Sequence, residues 1–314
     1  MKYIKSPIFY MGNKYKLLPQ LIPLFPKNID TFYDLFGGSG CMSGNIKAKK
    51  TIYNEINENI VNLYKLFLKY TPEEIDSTIR NYIEKYNLNK EGTDVRQNNL
   101  DIKKIRDFYN ERYLEFRKAY NESDRDYLML YTLTFYSFSN LIRFNSKSDF
   151  NMPYGNRCYC EKHYQQMKDW YELIKDKNIE IKQENAFDIL QDTIFNKNDF
   201  IYLDPPYSNT LAIYNEKRAF GGWTIEDDKK LFVILEKLNK YGIKWGISNV
   251  FKNKNYVNEH LIKWCEEHNW NVHHLNFTYS SLGKGNSNSD EVYICNYNVE
   301  DKQLNLFDLG ESNE

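Results

Sequence analysis

Asp204-Pro205-Pro206-Tyr207 carries the clearest chemistry in this 314-residue chain. An apolar run, Phe200-Ile201-Tyr202-Leu203, precedes it and reads as a buried strand. The acid therefore stands at a strand's carboxyl end, where open α/β sheets bind ligands. Two consecutive prolines forbid helix and hold the turn extended and stiff. Such a turn presents a carboxylate, the Pro205 carbonyl and an aromatic ring, which together suit an amine nucleophile. The exocyclic amine of a base is weakly nucleophilic because its lone pair is delocalised into the ring. Acceptors at Asp204 and at the Pro205 carbonyl draw the amine toward tetrahedral geometry, and Tyr207 stacks on the base. With the group donor held in line, much of the rate comes from positioning. A base inside a duplex must first be flipped out. The competing reading is a strand-ending turn, with proline for stiffness and aspartate as a cap.

A second group lies upstream. Asp34-Leu35-Phe36-Gly37-Gly38-Ser39-Gly40 follows a strand-forming run, and its glycines permit close backbone approach to a ligand. No Gly-Lys-Ser/Thr follows, so it is not a Walker loop. Glu55 ends the next strand, where an acid can bind ribose hydroxyls. A dinucleotide dehydrogenase would share these features, and the Asp204 turn decides against it.

The elements that position these groups follow from periodicity. Ile29–Phe36 and Thr51–Asn54 read as strands flanking the glycine loop. From Asn57 to Leu141 the pattern turns helical, and a polar, turn-rich stretch, Arg143–Cys160, follows. Strands resume at Ile179–Lys182, Asp199–Leu203, Ile243–Ser248, Trp270–Phe277 and Glu291–Cys295. Thr224–Lys240 and Tyr256–Glu267 read as helices. This is an α/β domain interrupted by a mostly helical insertion. At 41% hydrophobic and 16% aromatic residues the chain can build a real core, which excludes global disorder. The formal net charge of −1 gives no global attraction to nucleic acid, so DNA contact requires a local basic face. The five cysteines are scattered, and Cys158-Tyr159-Cys160 lacks zinc-finger spacing, so a reduced protein without structural metal is expected. No apolar run reaches signal or membrane-span length, which makes the cytoplasm the expected compartment. Neither a nucleophile elbow nor the paired acids and lysine of a PD-type endonuclease are evident.

With these residues in view, the sequence from about Tyr3 to Asn296 resembles the Dam-like DNA adenine-N6 methyltransferases. Their order is cofactor motif, recognition domain, then the Asp-Pro-Pro-Tyr turn. The resemblance implies a Rossmann-like methyltransferase fold, residues 1–57 and 180–297, holding a mostly helical DNA-recognition insertion, residues 58–179. The tail, residues 298–314, is expected to be disordered. The implied methyl donor is S-adenosylmethionine and the substrate is double-stranded DNA. Tyr10-Met11-Gly12-Asn13-Lys14 resembles the N-terminal cofactor motif, which assigns Tyr10 and Lys14 to the cofactor. Asp34, Phe36, Gly37, Gly38, Ser39 and Gly40 match the motif that contacts its methionine part, and Glu55 takes the place of the ribose-binding acid. Ala186 and Phe187 align beside the cofactor adenine, with Ala186 replacing a usual aromatic. Asp204 is expected to contact both amine and cofactor, with Pro205 and Tyr207 completing the catalytic turn.

Ser139–Asn145 and Phe150–Arg157 resemble the hairpin by which the family enters the major groove. That likeness implies that Arg143 reads a guanine through O6 and N7, that Leu141 and Pro153 meet a thymine methyl, and that Arg157 adds a base or phosphate contact. Ser139 and Asn145 belong to the same DNA-facing segment, and GATC or a related short palindrome is the implied site. Phe9 departs from the lysine that some members place before the N-terminal aromatic, so outer-base recognition through that lysine is not carried over. Ser248-Asn249-Val250 resembles a motif lining the target-base pocket. The Ser280–Ser289 loop, with Lys284, is either a phosphate-tracking segment or a plain turn. Gln303–Phe307 resembles the peptide by which bacterial replication and repair proteins dock on the sliding clamp. Cytosine-N4 and protein-glutamine methylation would more often carry Ser or Asn in place of Asp204. A catalytically idle DNA-binding regulator is the rival from another class.

Overall fold

The β-formers and apolar runs assemble into one eight-stranded sheet. The computed structural model describes residues 2–93, 100–207, 222–253, 256–276 and 289–299. The strands are β1 (Ile29–Asp34), β2 (Ala48–Asn54), β3 (Ile179–Lys182), β4 (Phe200–Leu203), β5 (Lys244–Asn253), β6 (Tyr256–Val257), β7 (Asn271–Leu275) and β8 (Ser289–Cys295). Their order is β3-β2-β1-β4-β5-β8-β7, with β6 paired to β5. β1 to β5 pair in parallel, while β8 runs against both β5 and β7. The order reverses beside β1, with β2 on one side and β4 on the other. This topological switch opens a crevice at the strands' carboxyl ends. Asp34 pairs in register with Tyr202, so the turns that leave β1 and β4 emerge side by side. The expected mixed α/β methyltransferase-like class is thus what the chain forms.

Alternation along the strands builds a layer on each face. Ile201 and Leu203 join Trp245, Ile247 and Ile294 under the helices of the carboxyl-terminal half. Phe200 and Tyr202 join Phe32, Tyr293 and Phe25 on the other face. β4 is buried along its length, which explains its unbroken apolar run.

The helices are α1 (Leu18–Leu21), α2 (Cys41–Asn45), α3 (Glu58–Lys69), α4 (Pro72–Lys85), α5 (Leu100–Asn121), α6 (Tyr127–Tyr136), α7 (Glu161–Ile174), α8 (Ala186–Asp192), α9 (Ile225–Lys240) and α10 (Glu259–His268). Local signals start several of them. Asn57 caps α3 through Asn59 N, and Thr71 with Glu74 forms a capping box on α4, where Pro72 takes the first turn. α6 is apolar all round and is packed by α3, α4 and α5. The helical segment is not sealed off from the sheet. Tyr53 of β2 and Ile8 share its core, and the Tyr53 ring stacks on Tyr64 of α3 at 4.2 Å.

One element departs from the sequence reading. Tyr256–Glu267 is not a single helix, because Tyr256–Val257 pairs antiparallel with Lys252 and Asn253 as β6. Asn258 then caps α10, its side chain accepting from Leu261 N. Strand ends also shift, with β1 stopping at Asp34 and β5 running on to Asn253. The tail with Gln303–Phe307 lies outside the described residues, as does the Ser280–Ser289 loop up to its last residue. Among the described residues no helix is long and apolar enough to cross a membrane.

Candidate active site

The N-terminal segment reaches across the switch point. Lys14 O accepts from Leu17 N and Leu18 N, which starts a helical turn. Asn13 Nδ2 donates to Ser39 Oγ at 2.9 Å and fastens this segment to the glycine loop. Lys14 Nζ then sits 2.7 Å from Asp204 Oδ1, with side chains only 11% and 17% exposed. The same Nζ donates to the Tyr207 hydroxyl at 3.2 Å and lies 5.4 Å from its ring centre. Tyr207 in turn donates to Glu291 Oε2 at 3.1 Å. Asp204, Lys14, Tyr207 and Glu291 therefore form one polar chain. Burial works against the charge on Lys14, but Asp204, Tyr202 and Glu291 more than offset it and hold the ammonium protonated. Burial pushes the Asp204 carboxyl above its ordinary value, and Lys14 opposes that rise.

The glycine loop is shaped by tyrosines. Gly37 N donates to Asn54 O at 2.7 Å, Gly38 N to Glu55 Oε2 at 3.0 Å, and the Tyr53 hydroxyl to Gly38 O at 2.7 Å. Gly38 and Gly40 take φ of 49° and 71°, the left-handed region that favours glycine. A Cβ on Gly37 would enter the Tyr53 ring, one on Gly40 the Tyr64 ring, and one on Gly38 would press on Tyr10. Glycine is thus required here by packing behind the loop as well as by any ligand in front. Glu55 also accepts from Asn57 N at 2.9 Å, so the expected ribose-binding acid buttresses the loop as well. Asp34, 1% exposed, accepts from Ser43 N and Ser43 Oγ at 3.2 and 2.6 Å, which ties β1 to α2. Burial, helped by the Asp204 charge and resisted by Ser43, pushes the Asp34 carboxyl up to about 7.

An aromatic cluster borders the loop. Asn185 caps α8 by accepting from Phe187 N, and Ala186 and Phe187 are both buried. Phe187 lies nearly parallel to Trp223 at 5.5 Å, and Phe36 meets the same indole edge-on at 5.4 Å. Trp223 Nε1 donates to Asp228 Oδ1 at 2.7 Å, and His260 Nε2 also bonds to that carboxylate. Trp223 and Glu291 were not marked by sequence reasoning. Each is a single residue outside any motif and joins the site only through the fold. Ser248, Asn249 and Val250 all lie buried within β5, with the Ser248 hydroxyl 2.8 Å from that of Tyr202.

The hairpin residues gather on the helical layer. Phe144 bridges Phe150, Ser137 bridges Tyr154, and Asn145 N donates to Asp149 O to close the tip. Arg143 Nε and Nη2 donate to Asn151 Oδ1 and O at 2.8 and 3.1 Å, which sets the plane of the guanidinium. Asn121 of α5 pairs with both the N and the O of Phe150, as a neighbouring strand would, while Tyr113 and Arg117 donate to Met152 O. Asn145, Pro153 and Arg157 are exposed, and Leu141 and Arg143 are half-buried. Arg157 also donates to Asn140 Oδ1 at 2.7 Å, linking the two hairpin segments. Ser139 and Asn140 take left-handed backbone, and beside them Phe138 is 57% exposed, an aromatic the sequence did not single out. Phe9 meets Phe135 and His163 edge-on, so the position of the family's occasional lysine is used for packing.

Comparison with known proteins adds to this geometry. A family model described as D12 class N6 adenine-specific DNA methyltransferase matches residues 10–277. Modification methylase StsI of Streptococcus sanguinis is 36% identical over 310 residues, covering 97% of this chain and 44% of that protein. Type II methyltransferase M.FokI of Planomicrobium okeanokoites is 34% identical over 300 residues, covering 94% and 43%. A DNA adenine methylase of Vibrio cholerae serotype O1 is 26% identical over 300 residues, covering 93% and 96%. The chain therefore spans less than half the length of the first two and nearly all of the third.

Proposed function

The chain belongs to the D12 class of N6 adenine-specific DNA methyltransferases, and on that premise we propose that it methylates a flipped-out adenine in duplex DNA. The proposed donor is S-adenosylmethionine and the proposed site is GATC or a related short palindrome. The observation that carries this reading is Asp204, held at the end of β4 by a half-buried lysine 2.7 Å away, beside a glycine loop.

The residues around the loop fit the donor. Asp34, Phe36 and the glycines line the methionine part, whose sulfonium and ammonium favour the charged form of Asp34. Glu55 accepts from the ribose hydroxyls, and Phe187 and Trp223 supply flat apolar faces for the adenine. Tyr10 and Lys14 close the crevice from the N-terminal side. When bound, S-adenosylmethionine supplies a methyl group activated on a sulfonium. Asp204 and the Pro205 carbonyl accept hydrogen bonds from the target amine and turn its lone pair out of the ring. Tyr207 stacks on the extruded base. Lys14 favours the anionic form of Asp204 against the burial that raises its carboxyl. The amine proton leaves after transfer, so no strongly basic group is needed.

On the DNA side, Asn151 occupies one edge of the Arg143 guanidinium, and the opposite end is the part turned to a guanine O6 and N7. Leu141 and Pro153 meet thymine methyls, while Ser139, Asn145 and Arg157 contact backbone or neighbouring bases. We place the enzyme in the cytoplasm, where its DNA substrate lies. The test is to express the chain in a methylation-free host and sequence the modified bases. The expected result is N6-methyladenine in one short motif, lost with Asp204→Ala. Modified cytosine, or DNA binding without methyl transfer, overturns the reading.

A further inference from the structure

We propose that Glu291 is a positioning residue for methyl transfer, fixing through the Tyr207 hydroxyl the ring that stacks on the target base. The proposal rests on the reading of Tyr207 as the base platform. β8 runs antiparallel between β5 and β7, and it begins where β5 ends. Glu291 pairs in register with Val250 of β5 and with Leu275 of β7, which brings a carboxylate from the chain's far end to the switch-point crevice.

That carboxylate is held at a cost. It is largely withdrawn from water and shares its surroundings with a second carboxylate, Asp204. Its partners explain its place. Pro205 and Pro206 stiffen the root of Tyr207, but a ring fixed only at its root still turns about its side-chain bonds. Hydrogen bonds hold the tip, among them one from Lys14 at 3.2 Å and one to Glu291 at 3.1 Å. Lys14 is already committed to Asp204 at the shorter 2.7 Å. Glu291 is thus the tip's second anchor, its carboxylate accepting from the Tyr207 hydroxyl. A ring anchored at both ends presents one face at one angle, and stacking geometry sets how the amine meets the methyl donor.

The experiment is a double-mutant cycle on methyl transfer to a duplex bearing the modified motif, with kcat, KM and cofactor affinity measured for each variant. Glu291→Ala is expected to lower kcat about tenfold, with cofactor affinity unchanged. Glu291→Gln, which keeps an acceptor oxygen, is expected to recover most of that loss. In a Tyr207→Phe background, Glu291→Ala should cost nothing further. Unchanged kcat in Glu291→Ala overturns the proposal. So does an undiminished loss in the Tyr207→Phe background, which would mean that the carboxylate acts through Lys14 instead. A wild-type protein that methylates no adenine removes the functional reading itself. An active wild type with an equally active Glu291→Ala removes this inference alone.

Discussion

An ammonium and a carboxylate largely withdrawn from water are best held as a pair, since removing one partner leaves the other uncompensated. Lys14 and Asp204 are such a pair, and their chemistry predicts a pH signature. In Lys14→Met nothing opposes the burial that pushes the Asp204 carboxyl up. A reaction that needs the carboxylate should then lose rate on the acid side at a higher pH than the wild type does. A pH–rate profile in which the two acid limbs coincide would contradict this. Asp34 gives a second signature. Its folded carboxyl sits at about 7, above its unfolded value, so the folded state holds a proton that the unfolded state releases. Stability from this group is therefore lost as pH rises from the ordinary carboxylate range to about 7. A cationic cofactor favours the charged form and counters that loss. Stabilisation by S-adenosylmethionine in thermal melts should be larger above pH 7 than below it, and Asp34→Asn should flatten the difference.

At the scale of elements, the hairpin is mounted rather than free. Asn121 stands in for a missing strand by satisfying both backbone groups of Phe150, and losing both bonds costs about 1–3 kcal/mol. Asn121→Ala should loosen the hairpin and so relax discrimination at the base that Arg143 is proposed to read more than it slows transfer at the preferred site. Methylation of duplexes substituted one base at a time would measure this, and equal loss on all substrates would refute it. Most strands and helices were legible from alternation, caps and punctuation, because burial on a sheet or helix face leaves a periodic trace. β6 was not. The spacing over Tyr256–Glu267 also fits a helix, and only pairing with Lys252 and Asn253 marks the first two residues as strand. The hairpin was legible through likeness of its residues to a family. Its anchoring to α5 was hidden, because Tyr113, Arg117 and Asn121 belong to no motif and only the fold brings them to Phe150 and Met152.

At the scale of the molecule, the candidate site is made of parts far apart in sequence. Lys14, Asp34, Glu55 and Asp204 were legible because each sits in or near a motif. Glu291 and Trp223 were not, since strand register and helix packing alone bring them in. The same interdependence governs folding. Tyr64 of the helical segment stacks on Tyr53 of the sheet, and Trp170 closes on Gly44 of α2. A fragment of residues 58–179 would expose these apolar faces. It should lack the cooperative thermal transition of the full chain, and a sharp, reversible melt of that fragment would show the core to be divisible.

The rings of Tyr53 and Tyr64 behind the glycine loop also bear on tempo. A loop so backed has lost its freedom during folding and has no closing motion left to wait for. Cofactor capture should then proceed in one exponential phase whose rate grows linearly with cofactor concentration, without the plateau that a gating step imposes. On the proposed reading, the slow events of the cycle fall on the DNA side, where the target base would leave its stack and return.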